Sequence, residues 1–384
     1  EEIKRNELFQ DDKVSIIKII IDYQVKSFQN LFKYCKCIES ITFRLKLDTI
    51  NNMSCMFFGC SSLKEIKFIH FNTSNVTDMS YMFYYCHALE KVNLSSFDTS
   101  KVTTMRGMFY ETYALKRIDL SNFDTSHLTS TGIGAIFMEN RSLEELNLSN
   151  WDFTSITNSL MATLTNEFNP TNHIKKIKMD NVIIRNEPYM SHFHSMTDLE
   201  YLSLKNVDTS SFTRMSYMFG DCKKLKRIDL SGFDTRNVTD MSIMFQDNPE
   251  LKTIVVGSKF KTSNVSSSSD MFRNDSKLIG DAGTTYNSNK VDKSYAHFDG
   301  GSSYPGYFTK VSSTYKVVFD ESNPEAFNEE FLILKGDTLD TLPTPTKDGY
   351  TFVGWYTGIT DGVLVDENTI PTGNVTYYAR WVKE

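Results

Sequence analysis

No stretch of this chain stays apolar for the roughly 18 residues that a membrane-spanning helix requires. The longest apolar run, Ile16 to Ile21, is short and interrupted by Lys18. There is no basic block either. Lys and Arg total 41 against 48 for Asp and Glu, a net charge of −7. Nucleic-acid affinity comes largely from neutralising phosphates, so this balance argues against a nucleic-acid partner. No Gly-x-x-x-x-Gly-Lys-Ser/Thr loop, Gly-x-Ser-x-Gly elbow or His-Glu-x-x-His helix occurs, so the common signatures of nucleotide, acyl-transfer and zinc-hydrolase chemistry are missing. Gly132-x-Gly134 is half a dinucleotide fingerprint without its third glycine. The chain opens on Glu1-Glu2 without an initiator Met, basic n-region or apolar h-region, as expected of a processed or excised piece.

The six cysteines do not show the spacing of a zinc framework, and a disulfide between neighbouring coils is geometrically possible but not legible in the sequence. Cys35-x-Cys37 and Cys55-x4-Cys60 are not the paired Cys-x-x-Cys spacing of a zinc site. Cys60, Cys86 and Cys222 each stand three residues before a recurring Leu, and Cys35 three before Ile38. This spacing predicts a buried column of thiols. His192-Phe193-His194 is the one close His pair and has no Asp, Glu or Cys beside it, so coil-surface histidines are the expectation. The Asn-x-Ser/Thr sequons, such as Asn75-Val76-Thr77, follow from a repeat and matter only in a eukaryotic host. No cofactor is expected.

What the chain does contain is a period. Met-Phe pairs recur at Met56-Phe57, Met82-Phe83, Met108-Phe109, Met218-Phe219, Met244-Phe245 and Met271-Phe272, and Phe57, Phe83 and Phe109 fall 26 residues apart. A Leu-x-x-Ile-x-Leu element recurs from Leu63, Leu89, Leu115, Leu143, Leu199, Leu225 and Leu251, clearest at Leu115-x-x-Ile118-x-Leu120. The alternation in this element predicts a short strand with one buried face. Val102, Met105, Met108 and Phe109 show i, i+3, i+6, i+7 spacing, which predicts a short helical turn capped by Thr103. Neither piece buries its apolar face alone, whereas stacked copies share a continuous core. The fold class expected is therefore an α/β repeat: a solenoid of about nine coils, each one strand plus one helical turn. The Asp residues of the Asp-Thr-Ser turns, Asp98, Asp124, Asp208 and Asp234, recur with the repeat. They are expected to be structural, since a catalytic pair would be singular.

The pattern Phe-Asp-Thr-Ser-x-Val-Thr-x-Met-x-x-Met-Phe-x-x-Cys-x-x-Leu-x-x-Ile-x-Leu, nearly intact from Phe71, Phe97 and Phe233, resembles the leucine-rich repeats of BspA-like bacterial surface proteins. The resemblance implies a right-handed leucine-rich-repeat-like solenoid exposed outside the cell and used for attachment. Farther on, Gly349-Tyr350-Thr351-Phe352-x-Gly354-Trp355-Tyr356 and Tyr377-Tyr378-Ala379-Arg380-Trp381 resemble the Listeria–Bacteroides repeat of internalin-type proteins. That implies a small β-grasp-like stalk, with further modules or a wall anchor in the parent protein. The expected organisation is an N-terminal cap at 1–30, a solenoid at 31–275, a capping segment at 276–311 and the small module at 312–384.

Function is then expected at a surface. Between Ser130 and Met196 the pattern breaks, and Asn166 to Asn172 is extra length, a place where repeat insertions often bind. Lys176, Lys178, Tyr201, Lys205 and Arg227, with Phe168 and Asn169 of the insertion, form the candidate ligand-binding set: a basic patch with an aromatic anchor. The resulting expectation is a non-enzymatic, monomeric adhesin of the bacterial cell surface. It would recognise a host protein or glycan, without direct membrane insertion in these residues. The competing expectations are a spacer or self-associating surface protein, and the targeting region of a larger secreted enzyme.

Overall fold

The computed structural model describes residues 25–44, 48–69, 71–155, 173–184, 193–323 and 326–384. Two compact units emerge. The first comprises residues 1–199 with Leu204–Val207, and the second Glu200–Ser203 with Asp208–Glu384. Both contain the same mostly-strand coil, a β-solenoid.

In the first unit each coil contributes one short strand: β1 (Ser40–Arg44), β2 (Glu65–Ile69), β3 (Lys91–Val92), β4 (Arg117–Asp119), β5 (Glu145–Asn147) and β6 (Lys176–Lys178). Neighbours pair in parallel, with Ile41 opposite Ile66, Ile66 opposite Val92 and Ile118 opposite Leu146. The second unit holds β7 (Tyr201–Ser203), β8 (Arg227–Leu230), β9 (Thr253–Val256) and β10 (Phe308–Lys310), with β8, β9 and β10 forming a parallel sheet.

The Met-Phe segment is not helical. Among the described residues the only helices are three one-turn 3-10 segments, Lys293–Tyr295, Gly301–Ser303 and Val311–Ser313. In each coil two residues four apart have positive φ: Cys55 and Gly59, Tyr81 and Tyr85, Gly107 and Glu111, Tyr217 and Asp221, Ile243 and Asp247. A left-handed residue every fourth position breaks an α-helix. It makes consecutive turns instead, closed by Met56 N–H to Met53 O and Phe58 N–H to Cys55 O. Alternate N–H groups are thereby freed to bond to the next coil: Met53 to Asp78 O, Cys55 to Ser80 O, Phe57 to Met82 O and Gly59 to Tyr84 O, at 2.7–2.9 Å. Each coil thus has a second ladder of cross-coil hydrogen bonds, made of turns. Thr103 is not a cap. Its N–H and Oγ1 both donate to Thr77 O in the preceding coil.

The repeat's side chains stack in columns. Phe32, Phe57, Phe83, Phe109 and Phe137 lie ring on ring, with centroids 5.3–5.8 Å apart and planes within 11°. In the second unit Phe219, Phe245 and Phe272 repeat the stack at 5.8 and 5.6 Å, and Tyr307 and Phe308 pack edge-on against Phe272 at its end. Such pairs add about 0.5–1.5 kcal/mol each beyond burial. The Asp-Thr-Ser turns form a polar column. Buried Thr73 Oγ1 donates to Asp98 O and accepts from Asp98 N–H, both at 2.8 Å, and Thr99 does the same with Asp124. Asp98 Oδ1 accepts from the Ser100 hydroxyl and N–H, and these bonds hold its carboxyl below the usual range.

The thiol column is as expected at three of its four positions, and Cys35, in the coil at its start, is only half-buried. Cys60, Cys86 and Cys222 are buried and unbridged. Cys60 and Cys86 donate to the Phe32 and Phe57 carbonyls at 3.0 and 3.1 Å, and burial pushes Cys60 up to about 12. Other coils fill this column with Thr112, Asn140, Asn248 and Asp275, each hydrogen-bonded to a neighbouring coil.

After β10 the chain builds a mixed sheet from β11 (Thr314–Asp320), β12 (Glu329–Leu334), β13 (Tyr350–Tyr356), β14 (Leu364–Val365) and β15 (Val375–Lys383), in the order β12-β11-β15-β13-β14. Its core centres on Trp355, Phe319 and Tyr377. The aromatic strands read from the sequence are β13 and β15, and Tyr315–Phe319 lies within β11.

Candidate functional site

Among the described residues expected to bind ligand, Lys176, Tyr201 and the Arg227 side chain are largely buried. Lys176 is buried, its Nζ 3.1 Å from Glu145, which also takes a hydrogen bond from Arg117. Lys178 ends β6, and the Lys205 N–H donates to Asp180 Oδ1. Tyr201 is 4% exposed and packs edge-on against Phe327 and Phe331, its hydroxyl accepting the Glu330 N–H. The Arg227 side chain is 9% exposed and donates to Asp340 Oδ2 at 2.6 Å. Lys252 reaches Asp337 at 2.8 Å and Asp340 at 3.4 Å. In the second unit, therefore, Tyr201 and Arg227 are covered by the small sheet. Spacing could not reveal this, because the partners lie more than 100 residues away in sequence. Phe168, Asn169 and His192 lie outside the described residues. His194 Nδ1 contacts the Ser195 hydroxyl. Gly132 and Gly134 belong to the turn ladder, their carbonyls accepting the Met105 and Gly107 N–H groups. Among the described residues no group of three or more His, Cys, Asp or Glu is arranged to hold a metal ion.

The feature that the repeat does not explain is a row of half-buried aromatic side chains on the first unit. The residue after the column Phe is Phe58, Tyr84 and Tyr110 in successive coils. Phe58 stacks on Tyr84 at 4.7 Å and 15°, and Tyr84 on Tyr110 at 4.6 Å and 16°. Tyr81 and Tyr85 flank Tyr84 at 5.5 and 4.2 Å. Tyr85 leads to His87, which stacks on Tyr113 at 4.6 Å. Tyr34, 57% exposed, meets Phe58 edge-on. Glycines make room for the rings. A Cβ on Gly59 would sit 2.4 Å from the Tyr34 ring and one on Gly107 2.8 Å from Tyr81.

Cations border the row. Lys33 Nζ lies 4.9 Å above the Phe58 ring, Arg106 Nε donates to the Tyr81 hydroxyl at 3.1 Å, and Arg141 lies 5.0 Å over Tyr113. Arg141 also pairs with Glu139 at 3.6 Å. Glu111 accepts from the Tyr113 hydroxyl and lies 3.6 Å from His87. That hydrogen bond pushes Tyr113 up to about 12, and burial raises Tyr84 and Tyr110. These hydroxyls stay protonated and neutral at physiological pH. The sequence did carry the signal, as aromatics at one register position in consecutive repeats. A helical reading of the segment hid it.

Stacked coils with Leu-x-x-Ile-x-Leu strands, followed by a separate aromatic sheet, define a BspA-like leucine-rich-repeat solenoid joined to a small all-strand module. The chain belongs to the family described as Mycoplasma protein of unknown function, DUF285, whose model matches residues 26–133, 92–192 and 187–310. Residues 315–380 match the Listeria–Bacteroides repeat domain. Internalin H of Listeria monocytogenes is 49% identical over 47 residues, 12% of this chain and 9% of that protein. A leucine-rich repeat protein from Bacteroides ovatus, solved as a crystal structure, matches with 15% identity and a TM-score of 0.25 over 69% of this chain and 85% of that one.

Proposed function

We propose that this chain is a non-enzymatic, monomeric adhesin of the bacterial cell surface. In this reading a right-handed solenoid of nine coils presents the ligand-binding surface and the β-grasp-like module serves as its stalk. The families matched are repeat and surface-protein families rather than known enzymes, which supports the reading. The observation that carries it is the aromatic row. Tyr84 and Tyr110 lie on the outside of coils whose cores are already complete, and half-buried aromatics in a preformed array suit recognition at little ordering cost.

The test is attachment. Beads coated with the full chain are to be counted on cultured epithelial cells and on extracellular-matrix coatings, beside beads carrying Tyr84→Ala/Tyr110→Ala. The expected result is attachment that falls several-fold in the double variant. Beads that bind nothing, or bind equally with and without the two tyrosines, would overturn the proposal.

A further inference from the structure

We propose that the aromatic row of the first unit is a docking site for an acidic protein segment, an apolar side chain flanked by Asp or Glu. This rests on the adhesin reading and names the class of partner.

The row is not a by-product of the coil. The position held by Phe58, Tyr84 and Tyr110 in the first unit is Gly220, Gln246 and Arg273 in the second, where the Phe stack beneath is built equally well. The backbone also carries a cost at these side chains. Tyr34 and Tyr85 sit at φ 62° and 61°, a region unfavourable for a bulky residue. At the positions equivalent to Tyr85 the second unit uses Asp221, Asp247 and Asn274, types that tolerate this conformation better. Strained aromatics kept on a surface where Asp and Asn would serve point to a function there.

The geometry selects the partner. The rings stack on one another within 16°, so their faces are largely spent on each other, leaving edges and neutral hydroxyls. A sugar ring packs its C–H groups onto a free aromatic face, whereas a protein side chain can use ring edges and phenolic donors. Charge selects further. The carboxylates at the row are engaged, Glu111 by Tyr113 and His87, and Glu139 by Arg141. Lys33 and Arg106 have no carboxylate within ion-pair distance among the described residues, and the Arg106 guanidinium bonds to the Tyr81 hydroxyl and the Thr131 carbonyl. Two uncompensated cations beside an aromatic row, on a chain of net charge −7, complement acidic residues on the incoming segment.

The experiment is to pan a random peptide library displayed on phage against the full chain, with Tyr84→Ala/Tyr110→Ala as counter-selection. Selected peptides are then titrated by calorimetry against Arg106→Glu, Lys33→Glu and, as a control in the second unit, Arg236→Glu. Charge reversal at exposed Lys33 or Arg106 leaves the core intact, Arg236→Glu also gives up the bonds to buried Asp234, and a melting curve checks each variant. The expected result is enrichment of Asp and Glu around an aromatic or aliphatic residue. Affinity should fall about tenfold or more with Arg106→Glu or Lys33→Glu and stay unchanged with Arg236→Glu. Peptides without acidic bias, no enrichment, equal weakening by Arg236→Glu, or a glycan array in which neutral oligosaccharides bind through Tyr84 and Tyr110 would each overturn the proposal. If bead attachment still requires the tyrosines in those cases, the adhesin reading stands and only the partner class falls.

Discussion

The two units solve the same packing problem and then use their outer residues differently. Inside, the Phe32–Phe137 stack of the first unit and the Phe219–Phe272 stack of the second are the same structure. Outside, the first unit carries stacked tyrosines, while the second carries Gly220, Gln246 and Arg273 and commits Tyr201, Arg227 and Lys252 to its own C-terminal sheet. A repeat fixes the column positions, because a residue there has the neighbouring coils as its partners. It leaves the next position free, and that position is where differences between coils accumulate.

The sharpest way to break this comparison is through the columns. Phe83→Ala and Phe245→Ala should each cost about 3–5 kcal/mol, measured by denaturant unfolding with hydrogen exchange read separately for the two units. Tyr84→Ala, on the outer position, should cost less than half as much. A cheap Phe245→Ala beside an expensive Phe83→Ala would mean that the two stacks are not equivalent.

The second prediction concerns what the second unit does with its outer cations. The Arg227 side chain is buried and Asp340 only partly so, so truncating Arg227 to Ala leaves Asp340 with Lys252 as its cation and should cost about 2–3 kcal/mol. A double-mutant cycle with Asp340→Ala isolates the pair. Additive losses would show that the small sheet is held by the Tyr201, Phe327 and Phe331 contacts without help from this ion pair.

These contacts also mark how far the sequence could be read. The 26-residue period made the stacked core legible, down to Phe57, Phe83 and Phe109, because each column residue meets its own equivalent one coil away. Cys60 and Cys86 were legible for the same reason. The Met-Phe turn was misread because apolar spacing of i, i+3, i+6, i+7 fits one helical face as well as a run of turns. The difference lies in the φ of Tyr81, Gly107 and Glu111, and only the glycine announces it. Tyr201 and Arg227 looked like surface residues on local pattern alone, since the partners that bury them, Phe331 and Asp340, belong to another module. The aromatic row was visible as letters, but not as a surface, until the turn ladder set Phe58, Tyr84 and Tyr110 side by side.

The smallest effect separates backbone strain from ring contacts. Ile243 holds φ 62° and Tyr85 φ 61°, so Asn at either site should recover part of the left-handed cost. For Ile243→Asn a gain of about 0.5–1 kcal/mol is expected in denaturant unfolding, part of the roughly 1–2 kcal/mol that an L-residue's side chain costs there. Tyr85→Asn should gain nothing, because the same relief is offset by lost contacts with Tyr84 at 4.2 Å, His87 at 5.6 Å and Phe58 at 5.8 Å. The gap between the two variants measures what the rings of the first unit contribute to holding one another in place. Equal gains would mean that the row is not self-supporting, and that the preformed surface on which the proposed recognition depends is not rigid.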